Sequence, residues 1–228
     1  PFYRNQTVMP IINEVEIRGI VVGVFQENCY IVASPKSKEA IVIDPGDEPE
    51  RVLELAKDMG VKIKLIANSH AHGDHIMGVR GVQEGTAAPF LMHSSEIPIL
   101  ERSSQGMANR RGEQAPPWPD RFVKDGDSVS VTGLDLRVID TPGHTPGSVS
   151  YYVNGMLFSG DTLFRGSIGR TDMAGGSYEQ IMRGIIGKLL ALPDDTVVLP
   201  GHQLETTIGQ ERHTNPFVLK ELQRLNGQ

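Results

Sequence analysis

Short apolar runs rich in β-branched residues punctuate this chain, separated by one amphipathic stretch and by turns marked with glycine and proline. Residues 17–24, 30–33 and 40–43 carry such runs between turn formers, a composition that predicts strands. Over residues 48–59, Val52, Leu55, Ala56 and Met59 recur at helical spacing, and Gly60 ends the pattern. Val61, Ile63 and Leu65 then alternate with Lys62 and Lys64, the period of a half-buried strand. That strand runs straight into Ser69-His70-Ala71-His72-Gly73-Asp74-His75.

Downstream, Val129, Val131, Leu134, Leu136 and Val138 alternate around Gly133 and predict a hairpin. The hairpin leads into Thr141-Pro142-Gly143-His144-Thr145-Pro146-Gly147, whose prolines and glycines impose one non-repetitive backbone path. Strands over 149–153 and 156–159 end at Gly160-Asp161, and a strand over 197–199 ends at Pro200-Gly201-His202. Ser177 with Gln180 forms a capping box for a helix with an apolar Ile181, Ile185 and Leu189 face, and Asn215-Pro216 opens a last helix. Residues 103–120, with Arg110, Arg111 and Trp118, read as a loop-like insert, either a lid beside a site or a plain surface excursion.

Every group of histidines and aspartates in this layout follows a predicted strand. Side chains far apart in sequence but all at strand ends converge on one rim of a sheet, where α/β proteins bind ligands. The expected fold class is therefore α/β, as a single domain over 1–228.

Composition narrows the partners. At 228 residues, with 39% hydrophobic and 22% charged positions, the chain has enough apolar surface for a core without staples. A net charge of −6 leaves no basic stripe for a phosphate backbone, which argues against nucleic acid. Cys29 is the only cysteine, so no intramolecular disulfide forms and a cytoplasmic setting is expected. Residues 1–10 lack the pattern of a signal peptide, and no apolar run approaches the ~20 residues of a membrane span, so no membrane partner is expected.

Five of the seven histidines join the pattern His70, His72, Asp74, His75, His144, Asp161 and His202. Imidazole nitrogens and carboxylate oxygens are ligands for borderline divalent metals, and seven exceed what one tetrahedral site needs. Two divalent ions are expected, zinc foremost, with iron and manganese using the same donors. Residues two apart in an extended stretch point the same way, so His70 and His72 can share one ion, completed by His144. A sharp turn at Gly73 then brings Asp74 and His75 to the second, completed by His202. Asp161 can bridge the pair, and Asp74 and Asp161 are the candidate catalytic carboxylates.

Ser-His-Ala-His-Gly-Asp-His resembles the His-x-His-x-Asp-His signature of the metallo-β-lactamase fold superfamily. The stretches at 141–148, 159–164 and 199–202 resemble three further motifs in that family's order, and Asn28-Cys29-Tyr30 and Ile43-Asp44-Pro45-Gly46 resemble its N-terminal strands. The resemblance implies a four-layer αββα sandwich with a dinuclear site at the sheet edge. It assigns His70, His72 and His144 to one ion, Asp74, His75 and His202 to the other, and Asp161 to both.

Within the superfamily the chain is most similar to the short form of the glyoxalase II (hydroxyacylglutathione hydrolase) branch, which lacks the C-terminal helical domain. That resemblance implies hydrolysis of thioesters or related acyl esters, with a small-molecule acyl substrate. Gly169-Arg170-Thr171-Asp172 is also similar to persulfide dioxygenases, in which one iron would be held by His70, His144 and Asp161. A lactonase or β-lactam hydrolase shares the hydrolytic chemistry.

Arg165 and Arg170 are candidates to grip a substrate carboxylate, with a stabilising salt bridge as the alternative reading. Asp44 is expected to orient a ligand histidine through a hydrogen bond. His93 and His213 are expected at the surface or at caps, and Cys29 as a small buried hydrophobe. Tyr178 and Arg212 are weaker candidates for the site.

Overall fold

Apolar residues on both faces of a strand require a covering layer on both sides, and this requirement sets the architecture. The computed structural model describes residues 6–8, 14–108 and 114–227. In the first half, strands Gln6–Val8 (β1), Glu16–Val22 (β2), Glu27–Ala33 (β3), Glu39–Ile43 (β4), Lys62–Ala67 (β5), Phe90–His93 (β6) and Arg121–Val123 (β7) form one sheet in that order. It is antiparallel from β1 to β4 and parallel from β4 to β7.

In the second half, Ser128–Val131 (β8), Leu134–Asp140 (β9), Val149–Val153 (β10) and Met156–Gly160 (β11) form an antiparallel meander. The short pair Leu163–Phe164 (β12) and Ser167–Ile168 (β13) stands apart, and Val197–Pro200 (β14) then joins β11 in parallel. Thr206–Thr207 (β15) closes that edge.

Three apolar clusters fill the three interfaces between four layers. Helices Pro49–Asp58 (α1), Val79–Thr86 (α3) and Ile97–Ala108 (α4) cover the outer face of the first sheet, with the four-residue turn Gly73–Ile76 (α2) at the site. Cys29, Ile31 and Ala33 of β3 face those helices, while Tyr30 and Val32 face the second sheet. Tyr151 and Phe158 fill the space between the sheets. Leu157 and Val198 face the helical layer of Tyr178–Gly184 (α5), Ile208–Thr214 (α6) and Pro216–Asn226 (α7). The result is the expected αββα sandwich.

Several local expectations change. Strand β5 alternates as expected over 61–65, with Lys62 and Lys64 exposed, but beyond that stretch Ile66 and Ala67 are both buried. The reason is position, since the strand ends mid-sheet between the helices and the second sheet. The strand expected over 17–24 stops at Val22, and the turn beyond leaves Val24 and Phe25 exposed. The loop-like reading of 103–120 fails in its first part, where α4 continues through Ser103 and Ser104. Burial of Ile99 and Leu100 outweighs the poor helix propensity of that stretch, and Ser104 Oγ bonds back to Leu100 O at 2.7 Å. Trp118 is exposed, and Arg110 and Arg111 lie outside the described residues. The helix capped by Ser177, whose Oγ accepts from Gln180 N at 3.3 Å, widens into a π turn over Ile185–Leu189 with its apolar face still buried. Among the described residues no helix is long and apolar enough to cross a membrane.

Asn215 ties the last helix to strand β13 and to α6. Its Oδ1 accepts from Phe217 N and Val218 N at 3.0 and 3.4 Å, capping α7. Its Nδ2 donates to Ser167 O at 3.0 Å and to Glu211 Oε2 at 2.8 Å. An Asn215→Ala protein loses the cap and strands buried acceptors, so a loss of about 2–3 kcal/mol is expected. Urea unfolding of the metal-free protein checks this: the midpoint should fall with an unchanged slope.

Candidate metal centre

Parallel strands deliver chain ends to one edge, and the candidate ligands leave from four of those ends. Strand β5 hands the chain to Asn68, Ser69 and His70, pinned by Val149 N on Ser69 O at 2.9 Å and by Tyr151 Oη on Asn68 O at 2.8 Å. His72 then stands at the start of α2, which carries Asp74 and His75. The turn after β9 brings His144, the end of β11 brings Asp161, and the end of β14 brings His202.

The chain turns at Gly73 as expected, through the short helix α2 and without a positive φ. A Cβ at Gly73 would meet no atom within 4 Å, and the residue lines the cleft. The glycines that matter are elsewhere. Gly160 has φ 48° and presses on Ser69, and Gly143 has φ 134° and presses on the Ile181 backbone.

These segments bring all seven predicted ligands together. His72 Nδ1 lies 2.9 Å from His144 Nε2, and the His70 ring lies 4.9 Å from that of His72 and 4.8 Å from that of His144. On the other side, His202 Nε2 lies 3.2 Å from Asp74 Oδ2. Asp161 stands between: Oδ1 is 3.5 Å from His75 Nε2, while Oδ2 is 3.5 Å from His144 Nε2 and 3.7 Å from His202 Nε2. Potential ligand atoms of His70, His72 and His144 lie within 4.8 Å of one another, as do those of Asp74, His75 and His202 and those of His70, His75 and Asp161.

The donor chemistry fits divalent cations. His70 Nε2, His75 Nε2 and Asp161 Oδ1 are buried without a hydrogen-bond partner, a costly state that a cation relieves. Burial lowers the basicity of His70, His144 and His72, the last to about 4, so all three present neutral lone pairs at pH 7. Burial also opposes protonation of His75 and His202, but Asp161 and Asp44 beside the first, and Asp74 beside the second, hold both above the ordinary range.

Supporting contacts fix the imidazoles. His144 Nδ1 donates to Arg170 O at 2.8 Å, which leaves Nε2 bare towards the centre. Asp44, at φ 49°, accepts from Ser69 N at 2.6 Å, from Ser69 Oγ at 2.5 Å and from His75 Nδ1 at 3.1 Å. That is the orienting contact expected of it.

The two arginines separate. Arg165 donates through Nε and Nη2 to Glu205 O at 3.0 and 2.6 Å, and does not line the cleft. Arg170 lines it and forms a two-pronged pair with Asp172 at 2.8 and 2.9 Å. His93 caps a short turn by accepting Ser95 N at 3.1 Å, and His213 is exposed on α6. Cys29 is buried and free. Tyr178 is partly exposed on α5, and Arg212 bonds Asp194 and Leu190 O, away from the centre.

Glu27 escaped the sequence reading. It is 1% exposed, its oxygens have no hydrogen-bond partner, and Oε1 lies 3.9 Å from His75 Nδ1. Burial pushes its carboxyl well above the usual range. The signal was present in the two-residue period of β3, which puts position 27 on the inward face with Cys29.

Above the centre lies a cleft of about 710 Å³, the size of a small-molecule site. Phe25, Met77, Phe164, Ile168 and Met173 supply its apolar wall.

Four layers with histidines and aspartates gathered at the strand ends define a class, and sequence comparison agrees with it. The family model of the metallo-beta-lactamase superfamily matches residues 22–202, and the chain belongs to that superfamily. It is 34% identical over 207 residues to the hydroxyacylglutathione hydrolase GloC of Haemophilus influenzae, covering 89% of this chain and 97% of that one. It is 30% identical over 194 residues to the mitochondrial persulfide dioxygenase ETHE1 of Bos taurus, covering 82% and 69%. A solved structure of TTHA1623 in a di-iron-bound form superposes with a TM-score of 0.78 at 37% identity, covering 87% of this chain and 98% of that one.

A Cβ at Gly201 would stand 2.5 Å from Asp161 Oδ1 and 2.6 Å from His75 Cε1. Gly201→Ala should therefore spread the donors and weaken divalent-ion binding at least about 10-fold. Isothermal titration of the metal-free protein with zinc checks this, with wild-type affinity as the contrary result.

Proposed function

We propose that this chain is a dinuclear metal-dependent hydrolase of thioesters and related acyl esters, acting on a small molecule in the cytosol. The observation that carries the reading is the position of Asp161 Oδ2, 3.5 Å from a nitrogen of one histidine set and 3.7 Å from a nitrogen of the other. One carboxylate oxygen facing both sets suits a bridge between two cations. In this reading His70, His72 and His144 hold one ion, Asp74, His75 and His202 hold the second, and Asp161 serves both. Zinc is the proposed metal, with iron or manganese accepted by the same donors.

Divalent cations bound there supply water acidified to near neutrality and a Lewis acid for an acyl carbonyl. The protein's own part is preorganisation. Arg170 O and Asp44 lock the tautomers of His144 and His75, so their inward nitrogens stay available without rearrangement. The apolar wall of Phe25, Met77, Phe164, Ile168 and Met173 packs an acyl group and thins the water around the reacting carbon. Arg170 at the rim is the proposed contact for a carboxylate on the carrier, competing with Asp172. Likeness to the Haemophilus hydrolase supports a thioester substrate. The single buried Cys29 suits a reducing compartment.

A second reading has its own support: the bovine relative is a persulfide dioxygenase, and the Gly169-Arg170-Thr171-Asp172 stretch resembles that group. One experiment separates the two. The zinc-loaded protein should hydrolyse S-lactoylglutathione, with kcat/KM falling at least about 100-fold in His72→Ala and Asp161→Ala but little in His213→Ala. Unchanged turnover in the first two variants, or oxygen uptake with glutathione persulfide by iron-loaded protein in place of hydrolysis, overturns the hydrolase.

A further inference from the structure

Behind the His70 loop lies a buried carboxylate that takes no part in the chemistry above. Glu96 ends the short 3₁₀ turn Ser94–Glu96 that follows β6, and it is fully buried. Its Oε2 accepts the backbone N–H of Ala71 at 2.7 Å, and its Oε1 accepts the backbone N–H of Gly147 at 2.7 Å. Ala71 separates His70 from His72, and Gly147 closes the turn that carries His144. One side chain therefore joins the two loops that supply the first histidine set.

The surroundings favour that role. The carbonyl of Ala71 is held from the other side by Ser103 Oγ at 2.8 Å, so the residue between the two histidines is fixed at both of its backbone polar atoms. A Cβ at Gly147 would stand 2.9 Å from Glu96 N and 3.0 Å from Glu96 Cγ, so the loop approaches closely only because glycine is there. Bonds from N–H to a carboxylate are about twice as strong as neutral ones, which suits a clamp. Space filling alone needs no carboxylate, since an apolar side chain of that volume avoids the desolvation cost.

We propose that Glu96 is a positioning residue that sets the spacing of His70, His72 and His144 and so the affinity of that set for its ion. The Asp74, His75 and His202 set, oriented by Asp44 through His75, is independent of it. This inference rests on the two-ion reading of the centre. A glutamine at 96 keeps the shape but offers one acceptor and one donor, so it satisfies only one of the two N–H groups.

The test titrates metal-free wild type, Glu96→Gln, Gly147→Ala and Asn215→Ala with cobalt(II), following visible absorption and bound stoichiometry. In Glu96→Gln one of the two cobalt ions should bind about 10- to 100-fold more weakly, and the other within about twofold of wild type. Gly147→Ala, which keeps the carboxylate but pushes the loop from it, should repeat that selective loss and decides the matter if Glu96→Gln does not fold. Asn215→Ala, destabilised elsewhere, should bind both ions normally. Wild-type affinities in Glu96→Gln, equal weakening of both ions, or the same loss in Asn215→Ala overturns the proposal alone. A wild-type protein that takes up no cobalt overturns the two-ion reading together with it.

Discussion

The structure is organised around a group of polar atoms that the fold buries without satisfying. His70 Nε2, His75 Nε2 and Asp161 Oδ1 have no hydrogen-bond partner among the described residues, the last two facing each other only at 3.5 Å. Each such atom costs about 1–3 kcal/mol, against a net stability of about 5–15 kcal/mol for a domain. Side chains left to relax would turn outward. They are prevented from doing so by bonds from behind: Asp44 on His75, Arg170 O on His144, and the Ser69 hydroxyl beside His70. The protein spends stability elsewhere to keep the donors aimed at one point, and a cation returns it.

That arrangement explains the topology around it. Parallel pairing of β4, β5 and β6 and of β11 with β14 sends successive strand ends to the same edge. Four ligand segments from distant parts of the chain can then meet with little loop between strand and ligand. The apolar clusters on each side of both sheets hold the strand ends still, which matters because metal affinity falls steeply with small displacements of donors. Close glycine contacts, such as Gly169 against Asp161 O and Gly201 against the Asp161 side chain, let the segments approach to the spacing the donors need.

Much of this was legible in the chain. Period-two patterns located the strands, and ligand-type residues placed after each of them were enough to predict convergence at a sheet edge. What escaped depended on tertiary context. Val24 lies beyond the strand because Gly23 (φ 65°) turns the chain there, a conformation that apolarity does not reveal. Helix α4 continues through serines and a glycine because its neighbours are anchored in the core. Glu27 and Glu96 are charged residues in apolar surroundings, and local patterning assigns such residues to the surface. Their meaning lies in distant backbone N–H groups and in a histidine reached only after folding. Arg165 and Arg170 look equivalent in sequence, yet Arg165 sits in the turn between β12 and β13 and Arg170 follows β13, with one tied to Glu205 O and the other at the cleft.

The hydrolase and oxygenase readings share all seven ligand residues, so their identity alone does not separate the two. A single iron held by His70, His144 and Asp161 would leave His72, Asp74, His75 and His202 without a purpose at the centre. Here Asp74 and His202 are held together at 3.2 Å, and His75 is completely buried between Asp44 on one side and Asp161 on the other. Asp161 and Asp44 favour positive charge on that side of the centre, which the imidazolium of His75 carries in the metal-free protein and a cation can replace. The electrostatics behind His75 therefore suits a cation on that side of the centre.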